Sequence, residues 1–181
     1  MVERRRRTGR GCALRLGALA ILTGCLALPV RAELLTEPPA ELAAPEMTLP
    51  RLDGGNFDLG ARAGQVTVVN FWALWCAPCK QEMAELAALQ RRLAGAGVAV
   101  VAVNLGDDPA EVRRYVEENE LGDLTFVLED GTGVAEAWHV GGLPVTYVVD
   151  PAGRIAYAAV GTRPWAAEAI ATLLEALSTR Q

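Results

Sequence analysis

Two cysteines, Cys76 and Cys79, have the spacing in this 181-residue chain that best suits covalent chemistry. They stand in Cys76-Ala77-Pro78-Cys79, after the β-branched and aromatic run Val66–Trp72 and before a segment of helical periodicity. A thiol at the head of a helix faces unpaired backbone N–H groups and the positive end of the helix dipole, and both favour its thiolate. The thiolate is the nucleophile of disulfide exchange. Cys76 therefore reads as the exposed, reactive sulfur, and Cys79, one turn on and partly covered by the helix, as the resolving one. Pro78 suits a first helical turn, where its missing N–H would have no partner. A zinc site competes for the same spacing, but it needs a second cysteine pair or histidines at matching intervals. The other cysteines are Cys12 and Cys25, and His139 is the sole histidine, so no metal-ligand set is assigned. A structural disulfide is a weaker alternative, because closing so short a loop restricts the unfolded chain little.

Such a pair needs a rigid strand behind it and a helix in front. The run Val66–Trp72 reads as a buried strand. Over 77–94, Met83, Leu86, Leu89 and Leu93 recur at helical spacing before Gly95 and Gly97. Residues 98–103 read as a second buried strand, and Asp108 with Pro109 as the cap and first position of a helix to about Asn119. A third strand over 125–128 and a short helix over 132–138 lead to Gly141-Gly142-Leu143-Pro144. Strands over 145–149 and 155–160 flank the turn Asp150-Pro151-Ala152-Gly153, and 164–178 form a closing helix. Strands alternating with helices and ending in a hairpin predict an α/β domain, a mixed sheet flanked by helices on both faces.

The N-terminal third has another character. Arg4 to Arg7, Arg10 and Arg15 precede an apolar stretch over 16–30, the layout of an export signal. Its fifteen residues give about 22 Å of helix, short of a bilayer core of roughly 30 Å. Three outcomes stay open. Leu22-Thr23-Gly24-Cys25 resembles a lipobox that would make Cys25 a lipidated N-terminus. Cleavage after Ala32 is the second outcome, and an uncleaved anchor the third. All three place the rest of the chain outside the cytoplasm. Residues 33–50 hold four prolines and four glutamates, which suits an extended, solvated tether. The division expected is 1–32 as export signal or anchor, 33–44 as flexible linker and 45–181 as the folded domain. Residues 33–181 carry 10 basic and 21 acidic side chains, a body that repels phosphate backbones, so nucleic acid is excluded as a partner. The acidic group Asp107, Asp108, Glu117, Glu118 and Glu120 reads as a solvated face.

The run from Asn70 to Met83, Asn-Phe-Trp-Ala-Leu-Trp-Cys-Ala-Pro-Cys-Lys-Gln-Glu-Met, resembles the active-site signature of the TlpA-like branch of the thioredoxin superfamily. The run from Gly142 to Asp150 resembles the family's second hallmark, a cis-proline loop beside the cysteine pair. The likeness covers roughly residues 44–177. It implies a thioredoxin-like fold and a protein disulfide reductase with Cys76 as attacking thiolate, Cys79 as resolving thiol and a redox-active disulfide between them. Pro144 would be cis, and the Leu143 backbone would pair with an extended substrate segment. Trp75, Ala77 and Pro78 would present the apron on which that substrate docks. Where ordinary thioredoxins carry a buried aspartate this chain has Asn70, and Glu82 is the candidate replacement as proton acceptor. A desolvated carboxylate there would have a raised pKa and would disfavour nearby thiolates. Ala84 stands where relatives often have a helix-kinking proline.

Beyond the two thiols the resemblance implies no cofactor. It implies protein substrates bearing disulfides, a membrane electron donor for re-reduction and a site at the periplasmic side of the inner membrane. Targets of such relatives include apocytochrome c thiols and the copper-site cysteines of oxidase assembly factors. A peroxidase on the same scaffold would place a threonine or serine at Ala73 and a proline at Val69, and neither is present. A copper metallochaperone using Cys76, Cys79 and His139 is the alternative, since two thiolates and an imidazole suit that metal.

Overall fold

The computed structural model describes residues 34–38 and 42–179. The proposed export segment and Cys25 lie outside the described residues, and no helix among those described is long and apolar enough to cross a membrane. The elements in chain order are β1 (Leu42–Ala43), β2 (Thr48–Pro50), β3 (Asn56–Asp58), β4 (Val66–Trp72), α1 (Ala77–Arg92), β5 (Val98–Leu105), α2 (Pro109–Glu118), β6 (Thr125–Glu129), α3 (Val134–Ala137), β7 (Val145–Val149), β8 (Arg154–Val160) and α4 (Glu168–Ser178).

All seven residues of β4 are buried, so a run rich in β-branched and aromatic residues becomes a central strand. It pairs in parallel with β5 and antiparallel with β7, within a six-stranded sheet of order β1-β8-β7-β4-β5-β6. Alternation along β4 sorts its side chains between two cores. Val66, Val68 and Trp72 face α1 and α4, packing with Met83, Leu86, Ile170 and Leu174. Val69 and Phe71 face the opposite layer, which is Met47, Leu49 and Phe57 of the β2–β3 hairpin region with Val134 and Trp138 from around α3. Each fully buried Leu or Met, such as Met83 or Leu86, contributes about 1.5–3 kcal/mol relative to exposure. Asn70 shares the α1 face with Val68 and Trp72, and it is the polar residue in that row.

Local chemistry sets most boundaries. Asp108 caps α2 by accepting from the N–H groups of Ala110 and Glu111 at 2.8 and 3.3 Å, with Pro109 at the first helical position. After α1, Gly95 takes φ +84°, a left-handed conformation that only glycine adopts without strain. The closing helix starts at Glu168 rather than 164, because Trp165 is turned inward and Ala167 is extended.

Two regions depart from the sequence expectation. The stretch read as a solvated linker is partly built into the domain. Leu35 is 5% exposed within the α1-side core, Thr36 pairs with Ala158, and β1 pairs with β8. The unpaired edge of β8 offers hydrogen-bonding groups that this extended chain satisfies. The tail of the same stretch forms a strand, β2, and its hairpin with β3 is the second departure. Its strands span three residues each, too short to show alternation, and its turn uses Gly54 and Gly55 at φ +104° and +73°.

Candidate active site

β4 delivers the chain to the head of α1, and Cys76 is the residue at that junction. It takes the extended N-cap conformation, and its sulfur accepts from the Cys79 N–H at 3.2 Å where a capping oxygen would ordinarily sit. The Cys76 carbonyl accepts from Lys80 N–H at 3.2 Å, which opens the helix. Cys76 and Cys79 are joined as a disulfide with Cα atoms 5.3 Å apart.

Burial corrects one expectation. Cys76 was expected to be exposed, and in this oxidised form it is only 4% exposed, while Cys79 is completely buried. The Cys76 sulfur is bonded to the fully buried Cys79, and Leu74 and Leu143 pack against the same cluster, which covers it. The pair nonetheless lies just beneath the surface. Trp75, Ala77 and Pro78 beside it are exposed, Trp75 at 73%. Trp72 belongs to the core, its ring 5.4 Å from Tyr115 and 5.6 Å from Phe126.

The second motif arrives from β7. Phe71 pairs with Val145, so the two residues before Val145 run alongside the end of β4 that leads to Cys76. The Leu143–Pro144 peptide is cis, Pro144 is buried, and its carbonyl accepts from Gly161 N–H at 2.8 Å. Leu143 is half-buried, and its backbone N–H and carbonyl make no hydrogen bond among the described residues.

Behind the disulfide, Glu82 is 2% exposed, one turn along α1 from Cys79. Its Oε1 accepts from Asn70 Nδ2 at 2.9 Å. Its Oε2 accepts from the Trp165 indole N–H at 2.9 Å and the Arg163 backbone N–H at 3.3 Å. Burial pushes the Glu82 pKa above the usual carboxylate range; these three donors and the Arg163 charge pull it back only in part. Asn70 also donates to Thr146 Oγ1 at 2.9 Å, which ties Glu82 to β7.

Asp107, assigned to a solvated face, is half-buried and accepts from the Leu74 N–H at 2.6 Å and from Asn104 Nδ2 at 2.8 Å. It therefore fixes the backbone two residues before Cys76. The Asn104-x-x-Asp107 spacing at a strand end is the signal that could have indicated it, since such pairs build side-chain-to-backbone turns. His139 is exposed, after α3, with φ +52°. Among the described residues no three His, Cys, Asp or Glu side chains stand together as a metal site, so the three-ligand copper set is not assembled.

Comparison with known proteins agrees with this geometry. The profile of the AhpC/TSA family matches residues 41–158. The chain is 31% identical over 147 residues to the thiol-disulfide oxidoreductase ResA of Geobacillus thermodenitrificans, covering 80% of this chain and 84% of that protein. It is 36% identical over 98 residues to the thiol:disulfide interchange protein HelX of Rhodobacter capsulatus, covering 54% and 53%. Among solved structures, one described as the thiol:disulfide interchange protein DsbE of Chlorobium tepidum superposes with a TM-score of 0.69 at 26% identity, covering 80% of this chain and 99% of that one.

Proposed function

The chain belongs to the AhpC/TSA family and is a thioredoxin-like thiol-disulfide oxidoreductase, and on that footing we propose that it works mainly as a reductase of protein disulfides. Reduced Cys76 attacks one sulfur of a target disulfide, forming a mixed disulfide and releasing the other target sulfur as a thiolate. Cys79 then loses its proton to Glu82 and attacks the Cys76 sulfur, releasing the second target thiol. The target gains two electrons and the enzyme is left as the Cys76–Cys79 disulfide.

The observation that carries this reading is the asymmetry of the pair. One sulfur caps a helix beneath an exposed rim, and the other is buried one turn from a desolvated carboxylate. The unpaired backbone at Leu143, held by the cis Pro144, is where an extended target segment would add as a strand beside the disulfide. Trp75, Ala77 and Pro78 form the other side of that approach. A membrane electron donor re-reduces the disulfide, and the chain works at the periplasmic face of the membrane. It is held there through Cys25 or the uncleaved segment, or released after Ala32. Disulfide-bonded cysteine pairs of apocytochrome c or of oxidase copper-site assembly factors, the targets that the family resemblance implies, fit this chemistry.

The test is disulfide reduction on insulin with the reduced protein, followed by target trapping in the native host. Cys76→Ser should abolish turnover, and Cys79→Ser should accumulate a mixed disulfide through Cys76. Turnover that survived Cys76→Ser would overturn the assignment.

A further inference from the structure

The loop after β8 supplies two of the three donors to Glu82, and this loop is held by the chain segment that precedes β1. The Arg163 backbone N–H and the Trp165 indole N–H both end on Glu82 Oε2. The Arg163 side chain turns the other way. Its Nε donates to the carbonyl of Leu34 at 2.7 Å, and its Nη1 donates to the carbonyl of Thr162 at 2.8 Å. Leu34 belongs to the segment that leads out of the N-terminal export region. That segment is anchored in turn: Leu35 is buried in the core, and Thr36 exchanges two backbone hydrogen bonds with Ala158 at 2.9 and 2.8 Å. One continuous set of contacts therefore runs from the tether, through Arg163, to the buried carboxylate behind Cys79.

We propose that residues 34–36 and Arg163 act as a clasp that holds the loop donors on Glu82, which makes the tether a positioning element of the redox site. This inference rests on the reading of Glu82 as proton acceptor, and it adds that the carboxylate's proton affinity is set partly by the segment that precedes β1. The charged and polar groups around Glu82 leave few other sources of control. Arg163 is the cation acting on it from the loop, Asn70 faces it from β4, and Thr146 reaches it through Asn70 from β7. On α1 itself lie Cys79, Lys80 and Glu85. Opening the clasp withdraws donors from an oxygen that stays buried among Trp165 and the core, so the protonated form gains.

The test uses the full chain with glutamate carboxyl carbons labelled with ¹³C, the Glu82 signal being assigned by its loss in Glu82→Gln. Thr36→Pro removes the N–H given to Ala158 without touching the Arg163 charge, and Leu35→Ala loosens the same segment should the proline variant fail to fold. Arg163→Ala removes both charge and clasp, while Arg163→Lys keeps the charge alone. In Thr36→Pro, Leu35→Ala and Arg163→Ala the Glu82 carboxyl should titrate at higher pH than in the unsubstituted protein. The Trp165 indole N–H should also exchange with solvent several-fold faster. Arg163→Lys should fall between Arg163→Ala and the parent. A Glu82 midpoint in folded Thr36→Pro or Leu35→Ala that stays put or falls overturns the clasp. That outcome is separate from failure of the parent reading, which would show as a Glu82→Gln protein reducing insulin with an unchanged pH profile.

Discussion

The two halves of the Cys76-Ala77-Pro78-Cys79 turn face different worlds. On the outer half, Cys76 is flanked by exposed Trp75, Ala77 and Pro78, with the unpaired backbone of Leu143 alongside. On the inner half, Cys79 has no surface, and one turn behind it Glu82 holds three hydrogen-bond donors in a nearly dry setting. The difference teaches how one short turn can divide a reaction. Attack on a large target needs open backbone and apolar surface, whereas resolution needs a proton taken by a group whose ionisation the protein controls. On the function proposed above, the first demand matches the bare outer half, and the second matches the setting of Asn70, Trp165 and Arg163 around Glu82.

The largest way to break this division is at the sulfurs. Cys76→Ser should lower insulin reduction about a thousandfold or more, because the attacking atom is gone. Cys79→Ser should instead stop turnover at a covalent complex visible by non-reducing electrophoresis. Should the two variants behave alike, the halves would not be distinct.

Next comes Glu82→Gln, which should slow resolution about tenfold or more at neutral pH, within the range of general-base contributions. The substitution is sterically mild. The Asn70 amide can turn over, so that its Oδ1, which has no partner now, accepts from the new Gln amide and from the Thr146 hydroxyl. The sign of the pH dependence follows from the raised pKa. Below it Glu82 is protonated and accepts nothing, so stopped-flow resolution should quicken as pH rises through that value and the rise should vanish in Glu82→Gln. The same shift means that the folded chain binds more protons than the unfolded one between the ordinary carboxylate range and the raised value. Stability to denaturant should therefore decline as pH climbs through that window, and Glu82→Gln should remove the decline.

Smaller effects belong to the outer half. Trp75→Ala should raise the apparent KM for a protein disulfide by about threefold to tenfold with kcat nearly kept, as expected of a docking surface. Asp107→Ala releases the Leu74 N–H and should lower kcat/KM a few-fold, with Asp107→Asn recovering most of it because an amide oxygen still accepts that bond.

The sequence revealed the parts of this architecture that are written locally. The β-branched and aromatic run of β4, the Asp108-Pro109 cap, the Asp150–Gly153 turn and the leucine spacing of α1 each decide their own conformation, and each stands where the sequence places it. Both cysteines were legible as a fixed motif beside a strong strand, whereas the cis Pro144 was legible only through the family resemblance. What stayed hidden is whatever depends on distant chain. Asp107 looked like one more surface acid until Leu74, 33 positions away, proved to be its partner. Trp165 and Arg163 lie more than 80 residues from Glu82, and Leu34 lies 129 from Arg163. Cys76 is covered because its sulfur is bonded to the buried Cys79 and lies under Leu74 and Leu143, a packing that the helix-end position alone does not specify. The short hairpin β2–β3 carries too few residues for periodicity to register.

Site-resolved alkylation of the fully reduced protein tests the division between the halves most directly. Iodoacetamide should modify Cys76 well ahead of Cys79 at neutral pH, and faster than it modifies an unstructured cysteine peptide, with peptide mass spectrometry reading each site. Equal labelling of the two sulfurs, or a Cys76 rate no higher than that of the peptide, would contradict it.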